Sequence, residues 1–112
     1  MGQLRVGEVG KIIRCSSGYD LSGNSELTLT FKDLVGGATF DRVKTNGVTA
    51  PSVDVNDPTL GLLAGGTYFE YSVAVTDSFT ASATWQVVGT YEDTTPKLFI
   101  SAPATFSVLP VA

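Results

Sequence analysis

The chain has 112 residues, of which 43% are hydrophobic and 16% are charged, and its formal net charge is −4. This length and apolar content favour one domain with its own core and exclude intrinsic disorder, which needs lower hydrophobicity and more charge. Histidine is absent and Cys15 is the only cysteine, so an internal disulfide is excluded. The 12 glycines and 5 prolines are typical of many turns between short strands rather than of long helices.

The charge is unevenly distributed along the chain. Residues 1–45 have a balance of +1, and the remainder has a balance of −5. Phosphate binding requires a concentrated basic face, so we expect no nucleic-acid partner. No segment approaches the roughly 18 apolar residues that cross a bilayer, and the first residues lack the apolar region of a secretory signal. We therefore expect no membrane contact and folding in a cytoplasm.

The first half of the chain predicts strands at residues 9–15, 26–32 and 39–44. The segment 26–32 has the cleanest alternation of apolar and polar residues. Asn46-Gly47 is a strong signal for a type I′ hairpin turn, which would lead into a further strand at residues 48–55. Residues 57–63 are expected to form one helical turn, capped by Asp57 with Pro58 at its first position.

The second half predicts two long strands, at residues 67–75 and 84–92, with period-two alternation and many aromatic residues. Two shorter strands follow at residues 97–102 and 104–109. Because each half-buried strand needs a second layer to cover its apolar face, the pattern predicts an all-β fold. We expect a single domain, residues 1–112, forming an immunoglobulin-like antiparallel β-sandwich of about seven to eight strands.

The predicted core consists of the inward-facing positions of these strands. Trp85 is expected to pack across the sandwich against the apolar residues of the strand at 26–32. The eleven residues assigned to the core are Leu27, Leu29, Phe31, Phe69, Tyr71, Val73, Trp85, Val87, Tyr91, Phe106 and Val108.

The sequence offers little catalytic chemistry. Without histidine, Ser-His-Asp and Cys-His arrangements are excluded, and Cys15 at the end of an apolar strand is expected to be structural. The acidic loop at residues 54–57 lacks the twelve-residue calcium pattern with its closing glutamate. We therefore expect a protein that is not an enzyme and that holds no metal or cofactor. An alternative is a carbohydrate-binding module that uses Tyr19, Tyr68 or Trp85.

An arginine-ended strand, an Asp-Leu-Ser-Gly turn and an alternating leucine strand follow one another in the first third of the chain, and an aromatic strand and a Trp-containing strand come later. The residues concerned are Ile13-Arg14, Tyr19 to Gly23, Leu27 to Lys32, Tyr68 to Val75, Ser82 to Val87 with Tyr91, and Ala104 to Val108. In these motifs the sequence resembles small immunoglobulin-like proteins and domains of tailed bacteriophages, including the N-terminal domain type of baseplate and tail-fibre-attachment proteins. The chain departs from the family's usual Pro-Asp-Gly after the leucine strand.

The resemblance implies a non-enzymatic structural protein of the virion, made in the host cytoplasm. Its place would be the tail, baseplate, neck or a fibre-attachment point. Its partners would be other virion proteins, and it would be present in many copies in a symmetric assembly. A capsid decoration (cement) protein is the alternative within the same class.

The N-terminal segment is the candidate for partner binding. Residues 1–8 form either an extended arm that adds to a neighbouring sheet or the first strand of this domain, and both alternatives remain open. In the first case, Leu4, Arg5 and Val6 would contact the partner.

Overall fold

The computed structural model describes residues 3–74, 77, 79–93, 98–100 and 104–110. In these ranges the chain is all-β, with ten strands, a single 3-10 turn at Lys44–Asn46 and no α-helix. The strands are β1 (Gln3–Arg5), β2 (Ile12–Ser16), β3 (Asn24–Asp33), β4 (Thr39–Val43), β5 (Val55–Asp57), β6 (Gly61–Leu63), β7 (Tyr68–Ser72), β8 (Ser82–Asp93), β9 (Leu98–Ile100) and β10 (Ala104–Leu109).

The strands form one large sheet and two small ones. The main sheet has six strands in the order β1-β10-β8-β3-β4, with β9 also paired to β8. All of its pairs are antiparallel except β1 and β10, which run parallel. The strands β2 and β7 form a second, antiparallel sheet, and β5 and β6 form a separate hairpin.

The alternation in β3 determines which face of the main sheet is buried. Leu27, Leu29 and Phe31 are buried, while the residues between them are more exposed. In the register of β3 with β8, Leu27 lies opposite Tyr91 and Phe31 lies opposite Val87. Because side chains of paired residues share a face, these apolar residues form one continuous inner surface.

The β2–β7 sheet covers this inner surface. The ring of Phe31 lies 6.1 Å from that of Tyr71 on β7, so the two sheets meet in one core, an arrangement consistent with a β-sandwich. The eleven residues predicted to form the core are all buried. Additional core residues include Leu4, Ile13, Leu21, Val48 and Phe79.

Trp85 is fully buried in an aromatic cluster. Its ring packs edge-on against Phe79 at 5.1 Å and against Phe40 at 5.9 Å, and its indole N–H donates to the carbonyl of Thr80 at 2.9 Å. The predicted packing across the sandwich against the leucines of β3 is wrong, because β3 and β8 are neighbours in the same sheet. In the register of β3 with β8, Trp85 lies opposite Asp33, next to the buried residues Leu27, Leu29 and Phe31 of β3.

Two predicted local structures between residues 44 and 63 are also wrong. Gly47 has φ 101 and ends the 3-10 turn, and residues 48–55 form only an isolated bridge from Thr49 to Glu70 before β5 begins at Val55. Residues 57–63 form a turn and β6 rather than a helical turn. The Asp57 carboxylate nevertheless accepts hydrogen bonds from the N–H of Thr59 and of Leu60, so the predicted capping residue caps a β-turn.

Several sequence predictions fall on residues outside those described. These are the first two residues of the N-terminal segment, the end of the strand at 67–75, and parts of the strand at 97–102.

Candidate interaction surface

The N-terminal segment is part of the main sheet. β1 pairs with β10 in the register of Leu4 with Val108, and the N–H of Val6 donates to the carbonyl of Leu109 at 2.9 Å. Leu4 is 1% exposed and Val6 packs partly against the core, whereas Arg5 is exposed. β1 therefore belongs to this domain's own sheet, and Leu4 is not available to a partner.

Side chains form hydrogen bonds with the backbone at β1 and β4, the two ends of the strand order of the main sheet. At β1, the Glu8 carboxylate accepts a 3.0 Å hydrogen bond from the backbone N–H of Arg5. At β4, the Arg42 guanidinium donates to the carbonyl of Asp41 at 2.8 Å, and the Asn46 amide oxygen accepts from the N–H of Val43 at 2.9 Å. Charged and polar groups of this kind oppose strand addition at β1 and β4.

Arg14 joins the second sheet to the β5–β6 hairpin. Its guanidinium donates to Glu70 and to Asp57, each at 3.0 Å, and the Asp57 side chain is only 3% exposed. Burial alone would raise the pKa of Asp57, but the hydrogen bonds from Leu60, Thr59 and Arg14 outweigh it and hold the pKa below its ordinary value. These groups hold the β5–β6 hairpin against the second sheet.

A second buried carboxylate holds the segment after β7. Asp77 accepts a 2.6 Å hydrogen bond from Arg42, a 2.7 Å hydrogen bond from the hydroxyl of Tyr71, and a 2.8 Å hydrogen bond from the N–H of Ala74. Burial, followed by the hydrogen bond to Asp77, raises the pKa of Tyr71 to about 12. This cluster ties β4 to the second sheet across the edge of the core.

The turn between β3 and β4 presents two apolar side chains to solvent. Leu34 is 48% exposed and Val35 is 73% exposed, and we call these two residues the apolar tip. Beneath them the Asp33 carboxylate accepts from the N–H of Val35 at 2.9 Å and from the hydroxyl of Ser82 at 2.7 Å. Hydrogen bonds from Gly36, Ser82 and Val35 hold the pKa of Asp33 below its ordinary value. A buried carboxylate thus organises an exposed apolar turn.

An apolar cleft of about 250 Å³ opens between β2, the β5–β6 turn, β8 and β10. Its floor is buried, and its rim includes Leu60, which is 37% exposed. We call it the apolar cleft, and its lining residues are Ile13, Arg14, Thr59, Leu60, Val87, Ala104, Thr105 and Phe106.

A larger groove of about 510 Å³ runs beside β1 and is lined by residues 3–8, Lys11 and Leu109. It is the more polar of the two, since Arg5, Glu8 and Lys11 line it.

The aromatic residues considered for sugar binding do not form a surface platform. Tyr68 is 1% exposed and Trp85 is fully buried, so neither ring can stack on a sugar. Tyr19 is 47% exposed.

The sequence analysis did not predict the apolar tip or the apolar cleft. Leu34-Val35 within a turn was a readable signal, because turns favour glycine and polar residues.

The described residues contain no group of three or more cysteines and carboxylates placed to hold a metal ion. In the same ranges, no helix is long and apolar enough to cross a membrane.

Comparisons of this chain with protein-family models, with curated proteins and with solved structures give no match.

Proposed function

We propose that this protein is a non-enzymatic structural component of a tailed-bacteriophage virion, placed in the tail, baseplate, neck or a fibre-attachment point. It would act through protein–protein contacts made by an immunoglobulin-like β-sandwich. The observation that carries the proposal is the sequence resemblance. The structure supports the proposal in one respect: residues of the motifs that carry the resemblance also hold the fold together.

The Asp-Leu-Ser-Gly turn illustrates this dependence. Leu21 is fully buried, and the Asp20 carboxylate accepts a 3.0 Å hydrogen bond from the N–H of Ser22. Arg14 holds the β5–β6 hairpin through Asp57, and Trp85 fills the aromatic cluster. A sequence signature that specifies a rigid body suits a protein whose role is to present surfaces in a repeated assembly.

The use of the charged groups also supports a structural role. Asp33, Asp57 and Asp77 each accept several hydrogen bonds that fix a turn or a loop. Rigid loops lower the entropic cost of contact, which matters where each copy contributes a small interface and many copies act together.

Mass spectrometry of purified virions from a phage that encodes this chain tests the proposal. We expect its peptides in mature particles at a constant ratio to a tail protein. Its absence from mature particles would overturn both the tail and the capsid-decoration versions.

Copy number then separates the two versions, because an icosahedral shell repeats a contact far more often than the rings of a tail do. A copy number matching the major capsid protein would replace the tail assignment with capsid decoration. A glycan array with Tyr19→Ala as the control tests the carbohydrate alternative.

A further inference from the structure

The turn after β4 contains the pair Asn46-Gly47, which is a candidate for spontaneous covalent modification. An asparagine followed by glycine can lose its side-chain amide, because glycine has no Cβ to hinder attack by its peptide nitrogen. The chain has three asparagines, and only Asn46 precedes a glycine. We propose that Asn46-Gly47 is a deamidation site that the 3-10 turn keeps unreactive, so that Asn46 deamidates only when this turn opens. The inference goes beyond the proposed function and does not depend on it.

The reaction consumes water and releases ammonia. The peptide nitrogen of Gly47 loses its proton to solvent and attacks Cγ of Asn46. The new bond closes a succinimide ring, the Cγ–Nδ2 bond breaks, and the amide nitrogen takes up a proton and leaves as ammonia. Water then opens the ring. Cleavage between the ring nitrogen and Cγ gives aspartate at position 46, whereas cleavage between the nitrogen and the main-chain carbonyl carbon gives isoaspartate, in which the chain runs through Cγ.

The backbone of the 3-10 turn is the first restraint on ring closure. A succinimide contains the Cα–C bond of Asn46, so Cβ and the nitrogen of Gly47 must lie nearly eclipsed about that bond. The 3-10 conformation has a ψ of roughly −20 to −30°, which leaves these two atoms far from eclipsed. Asn46 is the last residue of the turn Lys44–Asn46. It must therefore leave the 3-10 conformation before the ring can form.

Two hydrogen bonds also restrain the reacting groups. The side-chain oxygen of Asn46 accepts from the N–H of Val43 at 2.9 Å, which ties the side chain to the start of the turn. The N–H of Gly47 donates to the carbonyl of Lys44 at 3.0 Å, so the proton that must be lost is engaged. Asn46 and Gly47 are both exposed, so access of water does not limit the reaction. The limit is the fraction of molecules in which the turn is open.

The turn is anchored at both of its ends. At its start, the Glu26 carboxylate of β3 accepts from the N–H of Lys44 at 3.2 Å. At its end, Val48 is 2% exposed and donates its N–H to the carbonyl of Val43 at 3.3 Å. An isoaspartate adds a methylene group to the chain between these anchors, so we expect it to displace Val48. The aspartate product keeps an oxygen that can accept from Val43.

Deamidation rates of the folded and the unfolded protein test the site. The protein is incubated at mildly alkaline pH with and without guanidinium chloride, and tandem mass spectrometry follows each asparagine. In the denaturant Asn46 should react first, while Asn24 and Asn56, which precede Ser25 and Asp57, keep their amides. In the folded protein Asn46 should react about tenfold more slowly or less, as two hydrogen bonds of ordinary strength predict. Equal rates at Asn46 in the two states, or equal rates at the three asparagines in the denaturant, would overturn the proposal.

Hydrogen exchange of the wild type tests whether the turn is the gate, and it needs no variant. Exchange and deamidation both require release of the Gly47 N–H. The slowing of deamidation on folding should therefore be of the same order as the protection of the Gly47 N–H against exchange. A Gly47 N–H that exchanges as in the unfolded chain, while Asn46 remains slow to react, would rule out the turn as the gate.

Glu26→Ala should open the turn without altering the reacting groups, since it removes the acceptor of the Lys44 N–H. The rate at Asn46 in the folded protein should rise roughly two- to tenfold, the range for one lost hydrogen bond. Glu8→Ala is the matched control, because it removes the same charge and a carboxylate that accepts from the N–H of Arg5. It should deamidate like the wild type, and circular dichroism checks that both variants are folded. Equal rates in the two folded variants would contradict gating by the turn.

Discussion

Gly89 of β8 lies against the ring of Phe69 of β7 across the core, so close that a Cβ atom at Gly89 would be 2.5 Å from Cε1 of that ring. Both residues are buried. Glycine within a strand lets a facing group approach the backbone closely. This pair therefore determines how near the second sheet can come to the main sheet.

Gly89→Ala should destabilise the fold, because the added methyl group overlaps a buried aromatic ring. Overpacking of this kind costs roughly 1–3 kcal/mol. Gly23→Ala is the control, since its Cβ would lie 3.6 Å from the hydroxyl oxygen of Tyr91, an ordinary contact, and its φ is not positive. Urea unfolding of the two variants measures the difference. Equal stabilities would show that the sheets can separate at no cost.

Leu4→Ala should also destabilise the protein, since Leu4 is 1% exposed and belongs to the core. Large-to-small core substitutions of this type cost roughly 2–5 kcal/mol. Arg5→Ala, at the adjacent exposed position, should change the free energy of unfolding by less than about 0.5 kcal/mol. If thermal melting shows the reverse order, β1 is not held as a core strand. Removal of residues 1–7 should lower stability for the same reason.

Alternation along the chain was sufficient to predict the buried face of each long strand. Leu27, Leu29 and Phe31 have the period of a half-buried strand, and burial follows it. Alternation does not reveal which strands are neighbours. The pairing of β3 with β8 and the parallel pairing of β1 with β10 join segments far apart in sequence, so no local signal specifies them.

The two errors between residues 44 and 63 have different physical origins. Asn46-Gly47 supplies a positive φ, but the turn belongs to a 3-10 helix because the Asn46 side chain bonds to the N–H of Val43. Asp57 caps a turn as expected, yet its buried pairing with Arg14 holds a β-hairpin in place of a helix. A local side-chain hydrogen bond accompanies the different turn at Asn46, whereas a tertiary ion pair holds the hairpin at Asp57. The candidate site was missed because the cleft is assembled from segments that no single stretch of sequence displays.

Stability should fall at high pH because of Tyr71. Its pKa is raised from 10.0 to about 12 by burial and by its hydrogen bond to Asp77. A folded-state pKa above the unfolded value favours the neutral hydroxyl, so the stabilisation is complete below pH 10 and is lost as the pH rises through about 12. Urea unfolding measured from about pH 9 to about pH 11.5 follows this loss.

Two phenylalanine variants separate Tyr71 from the other tyrosines. Tyr71→Phe should reduce the pH dependence between pH 10 and about 12, because the hydroxyl of Tyr71 is removed; the part due to Tyr68, whose pKa burial also raises, should remain. Tyr19→Phe, at a position that is 47% exposed, should keep the wild-type dependence. Parallel curves for the wild type and Tyr71→Phe would mean that another group causes the loss.

Trp85→Ala should be the most damaging of these core substitutions. Trp85 is fully buried, its ring packs against Phe79 and Phe40, and its indole N–H bonds to the carbonyl of Thr80. Truncation should cost roughly 3–5 kcal/mol through lost burial and the cavity that remains. That is a large share of the roughly 5–15 kcal/mol available to a domain.

Two further variants separate the role of Trp85 in the core from a role in binding. Trp85→Phe keeps an aromatic ring in the cluster and removes the indole N–H, so its melting temperature should fall less than that of Trp85→Ala. Tyr19→Ala, at an exposed aromatic position, should leave the melting temperature nearly unchanged. Any loss of binding in Trp85→Ala should accompany unfolding, since Trp85 is fully buried. A Trp85→Ala protein that melts like the wild type but no longer binds a virion protein or a glycan would move Trp85 from the core to a binding surface.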